Sequence, residues 1–284
     1  MRIKGDIIRT VRKQKKLSQV TLAAGICTQG TVSNIENKNI CDSLEILDAI
    51  CKRLNLSLES VLDDNDEKKL TTLLDQVEEL CNTFKHKEAH SLLQSTSINA
   101  SDIQNRELEV RWFYFMGITN LLGYNNTTDS LFHFYRADEL GDSNSVYAIL
   151  SVNSLGIVYE MANELDKARV YYEKSINMLK KITIKMPIEA TKIFFNTAKF
   201  YSLIKDYQTA FNLASEGMAL NKIHKSLYML DLLAYEVAFN DFMKSPDLKA
   251  PDFNSAKVFA TFNDNENLLA VIANDEKTLV DSKA

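Results

Sequence analysis

Seven lysine and arginine side chains lie among the first 16 residues, and a single carboxylate, that of Asp6, opposes them there. Residues 1–62 carry a net charge of +4 and the remainder −9, within a chain whose net charge is −5. A positive block of this kind can neutralise the phosphates of a nucleic acid, although on charge alone a solvated helix face is the more common explanation. The basic residues are Arg2, Lys4, Arg9, Arg12, Lys13, Lys15 and Lys16.

Short helices are predicted to position these charges. Ser18, Thr28 and Ser43 each precede a segment with apolar residues at helical spacing, and small hydroxyl side chains commonly cap helices. Ile3, Ile7, Ile8 and Val11 give the apolar side of a first helix that ends near Lys15 and Lys16. The pattern then predicts helices over residues 19–24 and 29–37, with a turn between them, and two further helices that begin after Ser43 and Ser57. The helix after Ser43 has Leu44, Leu47, Ile50 and Leu54 at core spacing.

Five short helices in this order resemble the helix-turn-helix domain of the phage Cro/repressor (XRE) family. The resemblance rests on Leu17-Ser18-Gln19, Leu22-Ala23 and Val32-Ser33-x-Ile35-Glu36. In such domains the third helix enters the major groove with its N-terminal residues on base edges. Gly30 stands where relatives often offer a base-reading side chain. The resemblance implies base contacts from Gln29 and Asn34, phosphate contacts from Gln19 and Thr28, added backbone charge from Arg9 and Arg12, and a place for Thr31 on the same surface.

Two later segments repeat each other with a shift of 42 residues, LGIVYEMANELDKARVYY at 155–172 and TAKFYSLIKDYQTAFNLA at 197–214. Small residues, Gly156 and Ala198, correspond in the two copies, and so do aromatic ones. The small residues should let paired helices approach, and the aromatic ones, such as Tyr172, should fill the gap between them. This is the helix-turn-helix pattern of tetratricopeptide (TPR) repeats. Weaker copies flank the pair, and a helix over residues 265–280 would close the array. Together with only eight glycines and three prolines, the pattern predicts an all-α fold.

We therefore expect three segments: an XRE-type DNA-binding domain over 1–64, a charged linker over 65–69, and a TPR-like domain over 70–284. The last domain should contain about five helix pairs, stacked as a right-handed superhelix with a concave inner surface, and a C-terminal capping helix.

The concave surface offers two amide side chains. Counted from the small residue of each repeat, Asn153 and Asn196 fall on or beside the inner wall, in successive repeats. An amide carries donors and an acceptor that match a peptide backbone, so the pair could hold an extended peptide. An inner asparagine could equally bond only to neighbouring side chains or line a self-association surface. Candidate neighbours for side-chain pockets and a terminal carboxylate are Tyr114, Ile118, Ile157 and Lys199.

An XRE domain, an acidic linker and TPR-like pairs together resemble the peptide-sensing quorum-sensing regulators of Gram-positive bacteria, the PlcR/TprA (RRNPP) group. The resemblance covers nearly the whole chain. It implies a cytoplasmic homodimer that binds a double-stranded operator with inverted symmetry and takes a short signalling peptide in the groove. It also implies that Asn153 and Asn196 hold the peptide backbone. It does not indicate activation or repression.

Other functions receive less support from the sequence. There is no Gly-rich phosphate loop or nucleophile elbow, and the four cysteines form no C-x-x-C pair. His86 and His90 have a spacing that could hold a metal, but no third ligand lies nearby. We therefore expect no enzyme activity, metal or cofactor, and with no apolar run near 18 residues we expect no membrane segment. A ligand-independent repressor that uses the array to dimerise, and a TPR adaptor that docks another protein, remain alternatives.

Overall fold

The computed structural model describes residues 3–61, 65–96, 98, 100, 103–245 and 247–282, with the backbone alone for 65, 66 and 280–282. The chain divides into two compact units, Met1–Leu73 and Leu74–Ala284. We call the second unit the repeat array. The described residues are helical in both units, which confirms the all-α prediction.

The N-terminal unit contains five short helices: α1 (Gly5–Gln14), α2 (Gln19–Ala23), α3 (Gln29–Lys38), α4 (Leu44–Leu54) and α5 (Leu58–Val61). Their apolar faces meet in one core that includes Ile8, Leu22, Val32, Ile35, Leu47 and Ile50, all fully buried. The predicted caps are confirmed for Ser18, Thr28 and Ser43, whose hydroxyl oxygens each accept a backbone N–H of the first turn. Leu62, expected in the last helix, lies outside the described residues.

Two details differ from the sequence prediction. Leu44, expected in the core, is 51% exposed, because it is the first residue of α4 and the inward face of that helix begins one turn later, at Leu47. Residues 65–69, expected as a linker, belong to α6 (Asn65–Asn82). Glu67, Lys68 and Lys69 are good helix formers, so a charged segment here extends a helix instead of separating two.

The array continues with four helix pairs and a closing helix. Helix α7 (His86–Gln94) follows α6. The four pairs are α8 (Arg106–Tyr124) with α9 (Thr127–Leu140), α10 (Val146–Met161) with α11 (Leu165–Leu179), α12 (Thr191–Leu203) with α13 (Tyr207–His224), and α14 (Leu230–Lys244) with α15 (Asn254–Phe262). The closing helix is α16 (Glu266–Ser282). Counting α6 with α7, five pairs and a capping helix match the prediction. A connection with a 3-10 turn at Ile188–Ala190 lies between α11 and α12, which accounts for the long 42-residue period.

Small residues set the distance between paired helices. A Cβ atom added to Gly117 of α8 would lie 2.5 Å from the ring of Phe134 of α9, and one added to Gly156 of α10 would lie 3.0 Å from the ring of Tyr172 of α11. The rings of Phe134 and Tyr172 are fully buried in the space that the missing side chains leave. The sequence interpretation of small residues facing aromatic ones is therefore confirmed.

The first helix of each pair also packs against the first helix of the next pair, from α8 to α10, α12 and α14. These helices therefore form one continuous layer, which we take as the inner side, where the sequence predicts the groove. We call them the inner helices. Any ligand that enters the array along its groove would meet their side chains.

Candidate functional sites

The N-terminal half of α3 forms the first candidate site. Thr28 caps α3 by accepting the N–H of Thr31 at 3.1 Å, and Val32 and Ile35 are buried in the core. With the inward face fixed in this way, Gln29 and Asn34 are exposed on the opposite face. The remaining predicted residues of this surface are also accessible: Thr28 and Arg9 are exposed, and Gln19 and Thr31 are half-buried.

A chain of polar contacts crosses the N-terminal unit and ends at this face. Arg12 donates from Nε to Glu36 Oε1 at 2.5 Å and from Nη2 to Oε2 at 2.8 Å. Gln19 Nε2 donates to the same carboxylate at 3.0 Å, and Gln29 Nε2 donates to Gln19 Oε1 at 2.6 Å. The chain therefore orients Gln29, one of the two candidate base-reading amides, through α1 and α2.

The Glu36 carboxylate is the centre of this chain. Burial acts to raise its pKa, but the hydrogen bonds from Arg12 and Gln19, together with the charge of Arg12, outweigh burial and lower the pKa below its ordinary value. Glu36 therefore stays ionised at neutral pH and holds both donors. A bidentate arginine–carboxylate pair of this kind fixes geometry as well as adding energy.

The position of Arg12 corrects one sequence prediction. Arg12 was expected to add charge for the DNA backbone, but only 8% of the residue is exposed, and its remaining Nη1 donates to the carbonyl oxygen of Leu17 at 2.7 Å. Its guanidinium is committed to the interior because Glu36 needs a partner there. Arg9, one turn earlier, is exposed, and its Nη1 lies 3.5 Å from Asn37 Oδ1. Arg9 keeps its place among the candidate DNA contacts, and Arg12 does not.

The second candidate site is the inner face of the array, where Asn153 has a different place from the one predicted. Asn153 is 0% exposed. Its Nδ2 donates to Ser175 Oγ at 3.0 Å and to Thr197 Oγ1 at 3.1 Å, and its Oδ1 accepts from Asn196 Nδ2 at 2.9 Å. Both amide hydrogens are used inside the array, because the residue faces the interior of α10, α11 and α12. Direct contact with a peptide is therefore not available to Asn153 in this conformation.

Asn196 is half-buried and more accessible. One hydrogen of its amide is committed to Asn153, and this bond sets which way the amide points. Among the described residues, no group donates to Asn196 Oδ1. The oxygen is therefore free to accept a hydrogen bond from a ligand N–H.

The other four predicted groove residues divide in the same way. Tyr114 and Ile118 of α8 are buried, so they support the wall without forming an open pocket. Burial also raises the pKa of the Tyr114 hydroxyl. Ile157 of α10 is half-buried and Lys199 of α12 is exposed. The accessible part of the predicted set is therefore Ile157, Asn196 and Lys199.

One cluster in the array was missed by sequence reasoning. Glu78, near the end of α6, accepts from Arg111 Nη2 at 2.8 Å and from the Tyr147 hydroxyl at 2.9 Å, and Lys192 Nζ lies 3.6 Å from its second oxygen. One carboxylate thus joins the beginnings of α8, α10 and α12. Arg111 and Tyr147 lie 33 and 69 residues away in sequence, so no local motif could have revealed the cluster.

Two kinds of site are not found in the described part of the chain. No three His, Cys, Asp or Glu side chains there are grouped so that they could hold a metal ion. Among the same residues, no helix is both long enough and apolar enough to cross a membrane.

Comparison with known proteins assigns the N-terminal unit. Residues 8–61 match the helix-turn-helix family HTH_3. No curated protein sequence matches the chain. The N-terminal unit is therefore a helix-turn-helix domain, in which α2 and α3 are the two helices that the name describes.

Solved structures extend the likeness to the whole chain. The chain is similar to Bacillus thuringiensis PlcR in complex with the peptide PapR7 and DNA, with 18% identity, 95% of this chain and 97% of that chain covered, and a TM-score of 0.59. It is also similar to the apo form of Bacillus thuringiensis PlcR, with 16% identity, 94% of this chain and 96% of that chain covered, and a TM-score of 0.60. A third similar structure is ComR from S. thermophilus in complex with DNA and its signalling peptide ComS, with 15% identity, 96% of this chain and 98% of that chain covered, and a TM-score of 0.52. At these identities the likeness establishes a shared fold.

The two arginines of α1 allow a matched test of the polar chain. Replacing Arg12 by Met should lower the free energy of unfolding of the N-terminal unit by about 3 kcal/mol, because Glu36 is left buried without its cation. Replacing the exposed Arg9 by Met should change that free energy by less than about 0.5 kcal/mol. Chemical denaturation of the full-length variants, followed by circular dichroism, measures both. Equal stability of the two variants would contradict the assignment of Arg12 to the interior.

Proposed function

We propose that this chain is a cytoplasmic, homodimeric transcription regulator whose DNA binding is changed by a short peptide in the groove of the array. The observation that carries the proposal is the pairing, in one chain, of a helix-turn-helix domain that exposes two amides on α3 with an array of five helix pairs. The fold shared with PlcR and ComR supports it, since both of those proteins were solved with DNA and a peptide.

The DNA role rests on the outer face of α3. Gln29 and Asn34 can each pair bidentately with an adenine edge, and Arg9 with the other basic residues of the first 16 can contact phosphates. Gln29 is oriented before DNA arrives by its bond to Gln19, which reduces the entropy lost on binding. A single domain makes few base contacts, and a dimer on an inverted repeat doubles them.

Asn34→Ala tests the base-reading role. A duplex selected from a random library by the wild-type protein should bind the variant about 1–3 kcal/mol more weakly, because one bidentate pair is lost. Binding to an unrelated duplex should stay the same. The matched control is Asn37→Ala, which removes an exposed amide from the last turns of α3 and should leave selectivity intact. Fluorescence anisotropy measures the affinities of the wild type and of both variants for the two duplexes, and unchanged selectivity in Asn34→Ala would remove this residue from the reading surface.

The peptide role rests on a smaller set of groups than the sequence suggested. Asn196 Oδ1 can accept a backbone N–H of the peptide, and Asn153 acts behind it by holding its amide in one orientation. Lys199, exposed on the next turn of α12, can bind a peptide carboxylate, and Ile157 offers apolar contact. The Glu78 cluster fixes the beginnings of the same inner helices, so a peptide would bind to a wall that is already braced.

Asn196→Ala tests the peptide role. The probes are synthetic heptapeptides that match the C-termini of small secreted proteins encoded beside the gene, titrated into the full-length protein by calorimetry. A peptide that binds the wild type should bind Asn196→Ala about fivefold to tenfold more weakly, which is the value of one net hydrogen bond. Asn212→Ala removes an exposed amide from α13, on the outer layer, and should bind as the wild type does.

The same titration distinguishes the alternatives. If no heptapeptide binds the wild type, the chain is better explained as a ligand-independent repressor whose array serves for dimerisation. If peptides bind equally to the wild type and to Asn196→Ala, peptide binding stands and the site is elsewhere.

A further inference from the structure

Two segments of the array carry lysines and no carboxylates. Residues 180–188 contain three lysines and residues 217–230 contain two, and neither segment contains an aspartate or a glutamate. All five lysines are exposed, and among the residues that the structure describes none of the five forms an ion pair. They therefore place unpaired positive charge on an array that is acidic as a whole. The lysines are Lys180, Lys181, Lys185, Lys222 and Lys225.

The two segments lie side by side. Residues 180–188 follow the end of α11, and residues 217–230 cover the last turns of α13 and the connection to α14. His224 Nε2 donates to the carbonyl oxygen of Met186 at 2.8 Å, and α13 also packs against the 3-10 turn at Ile188–Ala190. The lysines of both segments therefore share one surface of the array, which we call the lysine end.

Large apolar side chains are exposed among these lysines. Ile184 is 57% exposed, Ile223 is 65% exposed and Leu227 is 41% exposed. Lysines at the ends of α11 and α13 interact favourably with the negative ends of the helix dipoles, but that effect gives no reason for exposed isoleucine and leucine. Apolar side chains grouped on a surface and surrounded by charged ones mark a place where another molecule binds.

The lysine end also contains a groove. The groove is open to solvent, has a volume of about 510 Å³, and is lined by Met218, Leu227 and Leu230 together with Lys222 and Lys225. Its accessible lining is almost entirely carbon, so the two lysines contribute the apolar stems of their side chains and keep their charges in water. Such a groove accepts an apolar side chain and leaves the ammonium groups for carboxylates beside it.

We propose that the lysine end binds an acidic segment of a partner protein, one in which large apolar side chains alternate with aspartate or glutamate. The apolar side chains of the segment fill the groove and cover the exposed isoleucines, and its carboxylates pair with the lysines. Complementary charge of this kind selects the partner and speeds its association. The lysine end includes none of the residues proposed to bind the signalling peptide, so this inference does not depend on that function.

Two other acidic molecules fit the lysine end less well. A nucleic acid supplies phosphates for the lysines, but it has no apolar side chain for the groove. A membrane surface supplies acidic headgroups, but it binds proteins through apolar groups that project into it, which leaves a groove on the protein unfilled. A polypeptide segment supplies both the carboxylates and the side chains.

Selection from a phage-displayed library of random dodecapeptides tests the proposal, with the full-length protein as bait. We expect the wild type to enrich sequences that combine aspartate or glutamate with leucine, isoleucine or phenylalanine. The most enriched peptide is then synthesised with a fluorophore, and its affinity is measured by fluorescence anisotropy. It should bind Lys225→Glu about fivefold more weakly than the wild type, because an attractive ion pair is replaced by a repulsive one.

The chain offers a matched control for each kind of contact. Lys205 and Lys225 are both exposed and both have a left-handed backbone, with φ of 65° and 51°, but they lie at opposite ends of α13. Lys205→Glu should therefore bind the selected peptide as the wild type does. Leu227→Gln should weaken binding about fivefold through lost apolar contact, whereas Leu203→Gln, at the exposed end of α12, should not. Circular dichroism checks that all four variants are folded.

The outcomes that would overturn the proposal are distinct. One is enrichment of peptides without acidic residues, and another is equal affinity of the selected peptide for the wild type and Lys225→Glu. An equal loss of affinity in Lys205→Glu would show a general effect of charge. Binding to phosphatidylglycerol vesicles that is lost in Lys225→Glu, with no acidic peptide selected, would assign the lysine end to a membrane surface instead.

The proposed peptide function is tested separately. Asn196→Ala should select the same acidic peptides as the wild type, because Asn196 is not part of the lysine end. Failure of the lysine end therefore leaves the peptide groove in place, and failure of the peptide groove leaves the lysine end in place.

Discussion

A polar group buried between helices has to find a partner inside the protein, and this requirement decides which side chains of the array can meet a ligand. Asn153 has found all its partners, since Ser175, Thr197 and Asn196 take up its amide. The Asn196 amide has one partner, Asn153, and its oxygen remains available to accept a hydrogen bond. Of these two amides, only Asn196 can therefore meet a ligand, and Asn153 fixes its orientation.

The same requirement organises the helix-turn-helix unit. Glu36 is enclosed, and Arg12 is drawn inward to neutralise it. Gln19 shares the carboxylate, and Gln29 is oriented by Gln19, so one buried ion pair determines the position of a side chain on the proposed reading surface. Such pairs contribute little net stability compared with an apolar core, but they specify geometry when every member is satisfied. This explains why Arg12, although basic, is not available to a DNA phosphate.

Much of this could be predicted from the sequence. The caps at Ser18 and Thr28 depend on residues close in sequence, and they are confirmed. The Gly156–Tyr172 contact depends on the repeat pattern, and it is confirmed as well. The contacts of Asn153 could not be predicted, because its partners Ser175 and Thr197 lie 22 and 44 residues away in sequence. The spacing within a repeat does not tell whether this side chain faces the groove or the neighbouring helices. The Glu78 cluster joins three helices through residues that belong to no motif. Arg12 lies in a basic segment and was therefore predicted to be a surface charge, because the sequence does not show that Glu36, 24 residues later, is its partner.

The central claim is that a peptide in the array changes how the chain binds DNA. The most direct test measures the affinity of the full-length protein for a duplex selected from a random library, with and without the heptapeptide that binds most tightly. Because a ligand shifts an equilibrium only through different affinities for two states, the account predicts a change of at least about fivefold in DNA affinity. The change should be lost in Asn196→Ala at the same peptide concentration. Identical DNA affinity with the array saturated by peptide would contradict the account.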